Sequence, residues 1–276
     1  MWLAGAAPRP RPSSAPRWLD AVPCQGRWCV LAGERRVCER EAPDQPGEGR
    51  CANLDENGAA IAWDAGRQLL WVLDTSGGLR GLSPARGWIP AEALAPPPRS
   101  PSFLAFSVLA VEGNRAVALD TVGAMMGVFD LGTSPPRRRA TFFLQARPSS
   151  AVIRHGVALV AEPSTAVHEP GGRWRTSTLS AGLQLVDLTD ADHPRELAWL
   201  PLDPGPQAVA VDEDLVALAC GEGGVSTWRW DGKATLHPVW RADTTGLASG
   251  AAFAGGALWI ADGASLLRFP GRGAAR

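Results

Sequence analysis

The stretch LVALACGEGG (residues 215–224) is a run of branched and small apolar residues that stops at a glycine-rich turn. Its like recurs along the chain: WCVLAG closing at Ala32, WVLDT with Asp74, AVALDT with Asp120, VALVAEP with Glu162 and LWIADG with Asp262. From Asp74 the steps to Asp120, Glu162, Cys220 and Asp262 are 46, 42, 58 and 42 residues, and Ala32 lies 42 residues before Asp74. All but one of these five steps lie near one value, and six copies so spaced mark a fold built by repetition.

Each copy has companions in a fixed order. Before it comes another short apolar run, as in AAIAWDAGR (59–67), LAVEGNR (109–115), AVIRHG (151–156) and AVAVDED (208–214). After it come GVFDLGTSPP (127–136), GLQLVDLTDADHP (182–194) and GVSTWRWDGKATLHP (224–238), and then a fourth run such as RELAWLPL or VWRAD. Short apolar runs separated by Gly, Asp and Pro read as strands. Helices are disfavoured throughout, because 31 Gly and 24 Pro would interrupt them at about 1 and 3 kcal/mol each in an interior; only IPAEALA (89–95) reads as a helical turn.

The expected fold is all-β, a β-propeller of four-stranded antiparallel blades, with six blades and with five or seven as the alternatives. A single blade cannot cover both faces of its own sheet, so each must stack on its neighbours. Residues 18–276 are assigned to one propeller domain and residues 1–17 to a Pro/Arg-rich lead. The last unit ends after SLLRFPG without a fourth strand, and residues near Trp2 are expected to supply it.

The stretch 182–230, GLQLVDLTDADHPRELAWLPLDPGPQAVAVDEDLVALACGEGGVSTWRW, resembles the bacterial LVIVD-repeat proteins. Leu185, Val186 and Asp187 match the core of that repeat and Pro194 its turn proline. The resemblance is good over 182–263, fair over 106–163 and weak before residue 100; alanine, leucine or tryptophan stands where the repeat usually has tyrosine, and Cys220 where it has an acid. Members of that family are mostly uncharacterised and often exported or lipid-anchored, so the resemblance implies a propeller and little chemistry.

Net charge is −1 and basic residues form no long run, which removes the electrostatic basis for nucleic-acid binding. No apolar run approaches the roughly 20 residues of a membrane-spanning helix. MWLAGAAPRPRPSSAP is not a recognisable signal peptide. Cys24, Cys29, Cys38 and Cys51 crowd into one segment while Cys220 stands apart. Two local disulfides are expected, with unpaired cysteines or a zinc site as rivals; the one loose C-x4-C pair has no second close pair to complete a thiolate set. A hairpin around VLAGERRV favours pairing Cys29 with Cys38 and Cys24 with Cys51. Disulfides point to an extracytoplasmic setting (periplasmic, cell-surface or secreted), with the leader not seen in this sequence.

Asp74, Asp120, Glu162 and Asp262 recur at one place in successive units. In a ring they would share one level, where hard oxygens could hold Ca2+; the plainer reading is that each caps a tight turn, which its repetition favours. Asp130, Asp187 and Asp231 are read in the same way. His193 and His237 are read as turn residues before prolines, and His155 as part of a hairpin turn. One unit is longer by about a dozen residues through PSTAVHEPGGRWRTSTLSAG (163–182), and such insertions often carry recognition. It holds His168, Glu169, Arg173, Trp174 and Arg175; a Trp between arginines can clamp an anionic or carbohydrate partner, whereas the plainer reading is a solvated hairpin. GWIPAEALAPPPRSPS (87–102) is read as a stiff connector.

No G-x-S-x-G, H-E-x-x-H or phosphate-loop motif occurs, so no catalytic residue is assigned. Cys220 is read as a small buried hydrophobe. The expected role is a monomeric, non-enzymatic exported or cell-surface module that binds a protein or glycan through loops on one face, with no cofactor. The alternative is a metal-dependent, lactonase-like hydrolase working at the axial mouth.

Overall fold

The structure, a computed structural model, describes residues 18–32, 35–41, 49–55, 57–75, 77–86, 89–93, 106–133, 136–163, 166–169, 173–176, 181–263 and 265–271. Six antiparallel sheets follow one another along the chain as the blades of a β-propeller. Blade 1 is β1 (Trp18–Cys24), β2 (Arg27–Ala32), β3 (Arg36–Arg40) and β4 (Cys51–Asn53); blade 2 is β5 (Gly58–Asp64), β6 (Leu69–Asp74), β7 (Leu79–Ser83) and β8 (Ile89–Ala93). Blade 3 is β9 (Phe106–Glu112), β10 (Arg115–Asp120), β11 (Met125–Asp130) and β12 (Arg137–Phe143). Blade 4 uses β13 (Ser150–Arg154), β14 (Val157–Glu162), β17 (Gly182–Asp187) and β18 (Arg195–Pro201), with a separate hairpin of β15 (Ala166–Glu169) and β16 (Arg173–Thr176) inserted between β14 and β17. Blade 5 is β19 (Ala208–Asp212), β20 (Leu215–Ala219), β21 (Val225–Trp230) and β22 (Leu236–Ala242); blade 6 shows three strands, β23 (Ala248–Ala254), β24 (Ala257–Asp262) and β25 (Ser265–Pro270).

The first strands stand side by side in order, β1 by β5, β5 by β9, β9 by β13, β13 by β19 and β19 by β23. The second strand of each blade is the recurring apolar run, and its lack of alternation has a packing cause. Side chains along a strand point to opposite faces in turn, and here both faces meet a neighbouring blade. On β10, Ala116 and Ala118 pack toward blade 2 while Val117 and Leu119 pack toward blade 4. On β20, Val216 and Leu218 pack toward blade 4 while Ala217 and Ala219 pack toward blade 6. The outermost strand of blade 3 recovers the alternation of a half-exposed sheet, along RRRATFF of β12.

Polar seams supplement these apolar cores. Between blades 3 and 4, Glu112 accepts the backbone N–H groups of His155 and Gly156, each at 3.1 Å, and Arg139 reaches Asp192 through Nε at 2.8 Å. Between blades 1 and 2, Asp20 Oδ2 accepts the Ile61 N–H at 2.9 Å.

Three expectations need correction. The disulfides are Cys24–Cys29 and Cys38–Cys51, not Cys29–Cys38 and Cys24–Cys51. In the β2–β3 ladder Cys29 faces Glu39 and Cys38 faces Val30, so Cys29 and Cys38 are one residue out of step and point to opposite faces. Cys38 lies directly across from Cys51 in the next ladder. IPAEALA is no helical turn: its Ile89–Ala93 portion is β8, which satisfies the outer edge of β7, with Pro90 on the outermost strand where a missing N–H costs least. His237 lies inside β22, opposite Arg229, and not in a turn. The expected contribution of Trp2 falls on residues outside those described, as does most of the 87–102 connector.

Candidate functional site

Every second strand runs in the same sense, so the six strand ends at or beside Ala32, Asp74, Asp120, Glu162, Cys220 and Asp262 lie at one end of the ring. The turns between second and third strands and the connections entering each blade gather there too. The recurring acids are buried and engaged. Asp74 Oδ1 accepts the Gly78 N–H at 2.8 Å, and Asp120 Oδ1 accepts those of Val122 and Gly123, both at 2.9 Å. These two close the turn that follows their own strand. Asp262 instead holds the incoming connection, accepting from Thr244 Oγ1 at 2.8 Å and from the Gly246 N–H at 2.9 Å.

Glu162 also reaches back, accepting the Ala146 N–H through Oε2. It is fully buried, and its Oε1 has no hydrogen-bond partner among the described residues. Nor has Oε1 of the buried Gln184, whose amide Nε2 donates to Glu196 at 2.5 Å. Burial pushes the Glu162 carboxyl up to about 9, against the pull of the Ala146 N–H and with the nearby charge of Glu196 adding to the rise. Among the described residues no three of His, Cys, Asp and Glu converge as a metal-ion site.

The third-strand acids serve turns. Asp130 accepts the Gly132 N–H, Asp187 that of Thr189, and Asp231 those of Lys233 and Thr235, at 2.8 to 3.0 Å. Hydrogen bonds to Thr189, with Arg195 assisting, hold the Asp187 carboxyl below the usual range. His155 occupies its hairpin turn at φ 53°, its ring 6.2 Å from that of Trp230.

The inserted hairpin rises at the same end as the acids, since it leaves blade 4 directly after Glu162 and returns just before Gly182. In its ladder His168 is opposite Trp174, Glu169 opposite Arg173 and Val167 opposite Arg175. One short ladder therefore carries all five residues singled out in the insertion, but on two faces. His168 and Trp174 hold register positions of one face and Glu169, Arg173 and Arg175 those of the other, so the pairing does not set Trp174 between the two arginines on one surface. Its feet are tied to the connection between blades 4 and 5: the Leu202 N–H donates to Ala181 O at 2.8 Å. A Cβ on Gly205 would collide with Ala181 and stand 2.9 Å from Pro163 Cα, so only glycine lets the connection pass against both feet.

That connection forms one wall of a groove of ≈ 380 Å³. Leu202, Asp203 and Pro204 face strands of blade 5 there, with Cys220 among the lining residues and Trp228, Pro238, Val239, Trp240 and Arg241 along the other side. Trp228 is fixed by its Nε1–H bond to Ser226 Oγ at 3.0 Å, and Arg241 by Nε and Nη2 donating to Gly223 O at 3.3 and 3.2 Å. Cys220 is buried, and that burial raises its thiol pKa, as its reading as an inert hydrophobe requires. Sequence reasoning missed this groove. Its residues lie in three segments joined by no motif, and only WRW (228–230) and VWR (239–241) hinted at aromatic surface.

The class of protein is a six-bladed β-propeller, and comparison with solved structures agrees. Similar structures include a functionally unknown protein from Desulfotomaculum acetoxidans DSM 771, at 12% identity over 92% of this chain and 82% of that one, TM-score 0.69. The Pan2 WD40 domain of Neurospora crassa matches at 7% identity over 92% and 75%, TM-score 0.58. A chain from a structure of the mitotic checkpoint complex matches at 13% identity over 98% of both chains, TM-score 0.53. Likeness at these identities concerns the fold alone. No family model matches the sequence, and no curated protein matches it.

Proposed function

We propose that the chain is a non-enzymatic, exported or cell-surface interaction module that binds a protein or glycan partner at the end of the ring bearing the inserted hairpin. The observation that carries this is the insertion itself: among the described residues it is the one hairpin added to a blade, and it is braced at its feet by Ala181, Leu202 and Gly205. Regular blade features are accounted for by packing, whereas a braced hairpin beside a groove is surface the fold does not need. Two disulfides in blade 1 support an oxidising compartment, and no helix among the described residues is long and apolar enough to cross a membrane. The likeness of residues 182–230 to LVIVD repeats points the same way. The hydrolase alternative gains no specific support, because Asp74, Asp120 and Asp262 hold turns and connections through their own oxygens.

The test replaces residues 165–179 by a two-residue turn and compares parent and trimmed proteins on a glycan array and against purified cell-surface protein fractions. Binding present in the parent and lost on trimming, with an unchanged melting temperature, is the expected result. Binding that survives trimming would overturn the assignment to this end of the ring.

A further inference from the structure

We infer that the groove between the blade 4–5 connection and the outer half of blade 5 is a binding site for a neutral saccharide unit, an inference that rests on the interaction-module reading and specifies one ligand for that end of the ring. At ≈ 380 Å³ it lies within the range of small-ligand pockets, about 300–1,000 Å³. A protein partner needs on the order of 1,000 Å² or more of buried surface, so the groove by itself suits a compact ligand.

The lining chooses the class. Trp228 is half-buried and, with Leu202, Pro204, Pro238 and Val239, supplies apolar walls suited to a ring with an apolar face, whereas the Trp240 ring packs toward blade 6 on the other face of blade 5. Trp228 is held by its Nε1–H bond to Ser226 Oγ. Held side chains lose little entropy when a ligand arrives. Two exposed charges of opposite sign complete the lining, Asp203 on the connection and Arg241 on β22. An anion would meet the Asp203 carboxylate and a cation the Arg241 guanidinium, so either pays repulsion on one side. A neutral ligand carrying both donors and acceptors satisfies both, Arg241 donating to its oxygens and Asp203 accepting from its hydroxyls. Hydroxyl groups around an apolar ring face describe a pyranose.

The acidic recess at the opposite end of the ring, lined by His155, Glu213, Asp214, Trp230 and Asp231, is a weaker candidate. The Asp231 carboxylate there is already committed to Lys233 and Thr235, and Asp214 lies 3.5 Å from Arg229.

The experiment is saturation-transfer NMR on the full chain with methyl glycosides of glucose, galactose, mannose and N-acetylglucosamine, and with glucuronate and glucosamine as charged counterparts. A neutral glycoside is expected to bind at least ten-fold more tightly than either charged probe. Trp228→Ala, Asp203→Asn and Arg241→Met should each weaken it ten-fold or more. Because Trp228→Ala removes core contacts as well, the two exposed-charge variants decide the matter when that protein does not fold. A blank neutral panel, a preference for a charged probe, or binding indifferent to Asp203→Asn and Arg241→Met overturns the inference. If trimming the hairpin abolishes capture of a partner while the panel stays blank, the saccharide site falls and the interaction-module reading stands.

Discussion

Glu162 shows how one side chain can depart from its equivalents. Asp74, Asp120 and Asp262 occupy the same place in their blades and satisfy backbone donors, but Glu162 is one methylene longer and is buried where blade 3 meets blade 4. With its carboxyl raised from the ordinary 4.5 to about 9, it is protonated in the folded chain at neutral pH and ionised in the unfolded one. Folding therefore takes up a proton: stability from this group is fully present below pH 4.5, declines as pH rises, and is lost beyond about 9. At pH 7 the deficit is about 3 kcal/mol. Glu162→Gln keeps an acceptor for the Ala146 N–H and carries a permanent donor, and Gln184 Oε1 in the same buried cluster lacks one. The variant is expected to be more stable than the parent at pH 7 to 8.5 by up to a few kcal/mol, with the difference vanishing near pH 4.5. Urea titrations across that range check it, and a variant that is less stable at every pH would show that the carboxyl contributes something an amide cannot.

Strand pairing governs which cysteines meet. A hairpin drawn symmetrically around VLAGERRV brings Cys29 and Cys38 level, but a one-residue offset in the β2–β3 ladder turns them to opposite faces. Cys24 and Cys29 bury one bridge in the core shared with blade 2, and Cys38 and Cys51 join β3 to β4 on the other face. Alkylation of unreduced native protein is expected to add nothing, since Cys220 is buried with its thiol pKa raised. Unfolding in denaturant without reductant should then expose one thiol by mass spectrometry. More than one adduct would mean that the bridges do not form. Replacing Cys38 and Cys51 together by serine should cost roughly 2–4 kcal/mol, as loss of a cross-link over a short loop does.

The whole ring depends on its ends. Blades 1 to 5 each have four strands, but among the described residues β25 is paired on one side only, with Leu266 65% exposed along it. An open strand edge invites a partner, and residues near Trp2 are the candidates within this chain. Deleting residues 1–10 is expected to lower the melting temperature by roughly 5–10 °C, the shift that loss of a few kcal/mol produces in a domain of this size. An unchanged melt assigns the closing strand elsewhere.

How much was legible follows from where each signal resides. The blades could be read because a second strand buried on both faces must be apolar throughout, so LLWVLD, RAVALD, VALVAE and ALWIAD announce themselves in order. Turn acids such as Asp120 and Asp231 were legible too, since an Asx turn is closed within four residues. The disulfide partners, the strand at Ile89–Ala93, the buried state of Glu162 and the groove were not. Each depends on which residues from distant segments come to lie opposite one another. Sequence by itself determined the repeating unit, because local burial dictates residue type. Only the tertiary structure decided what the blades do to one another, because register and inter-blade contact exist nowhere along the chain until the ring is assembled.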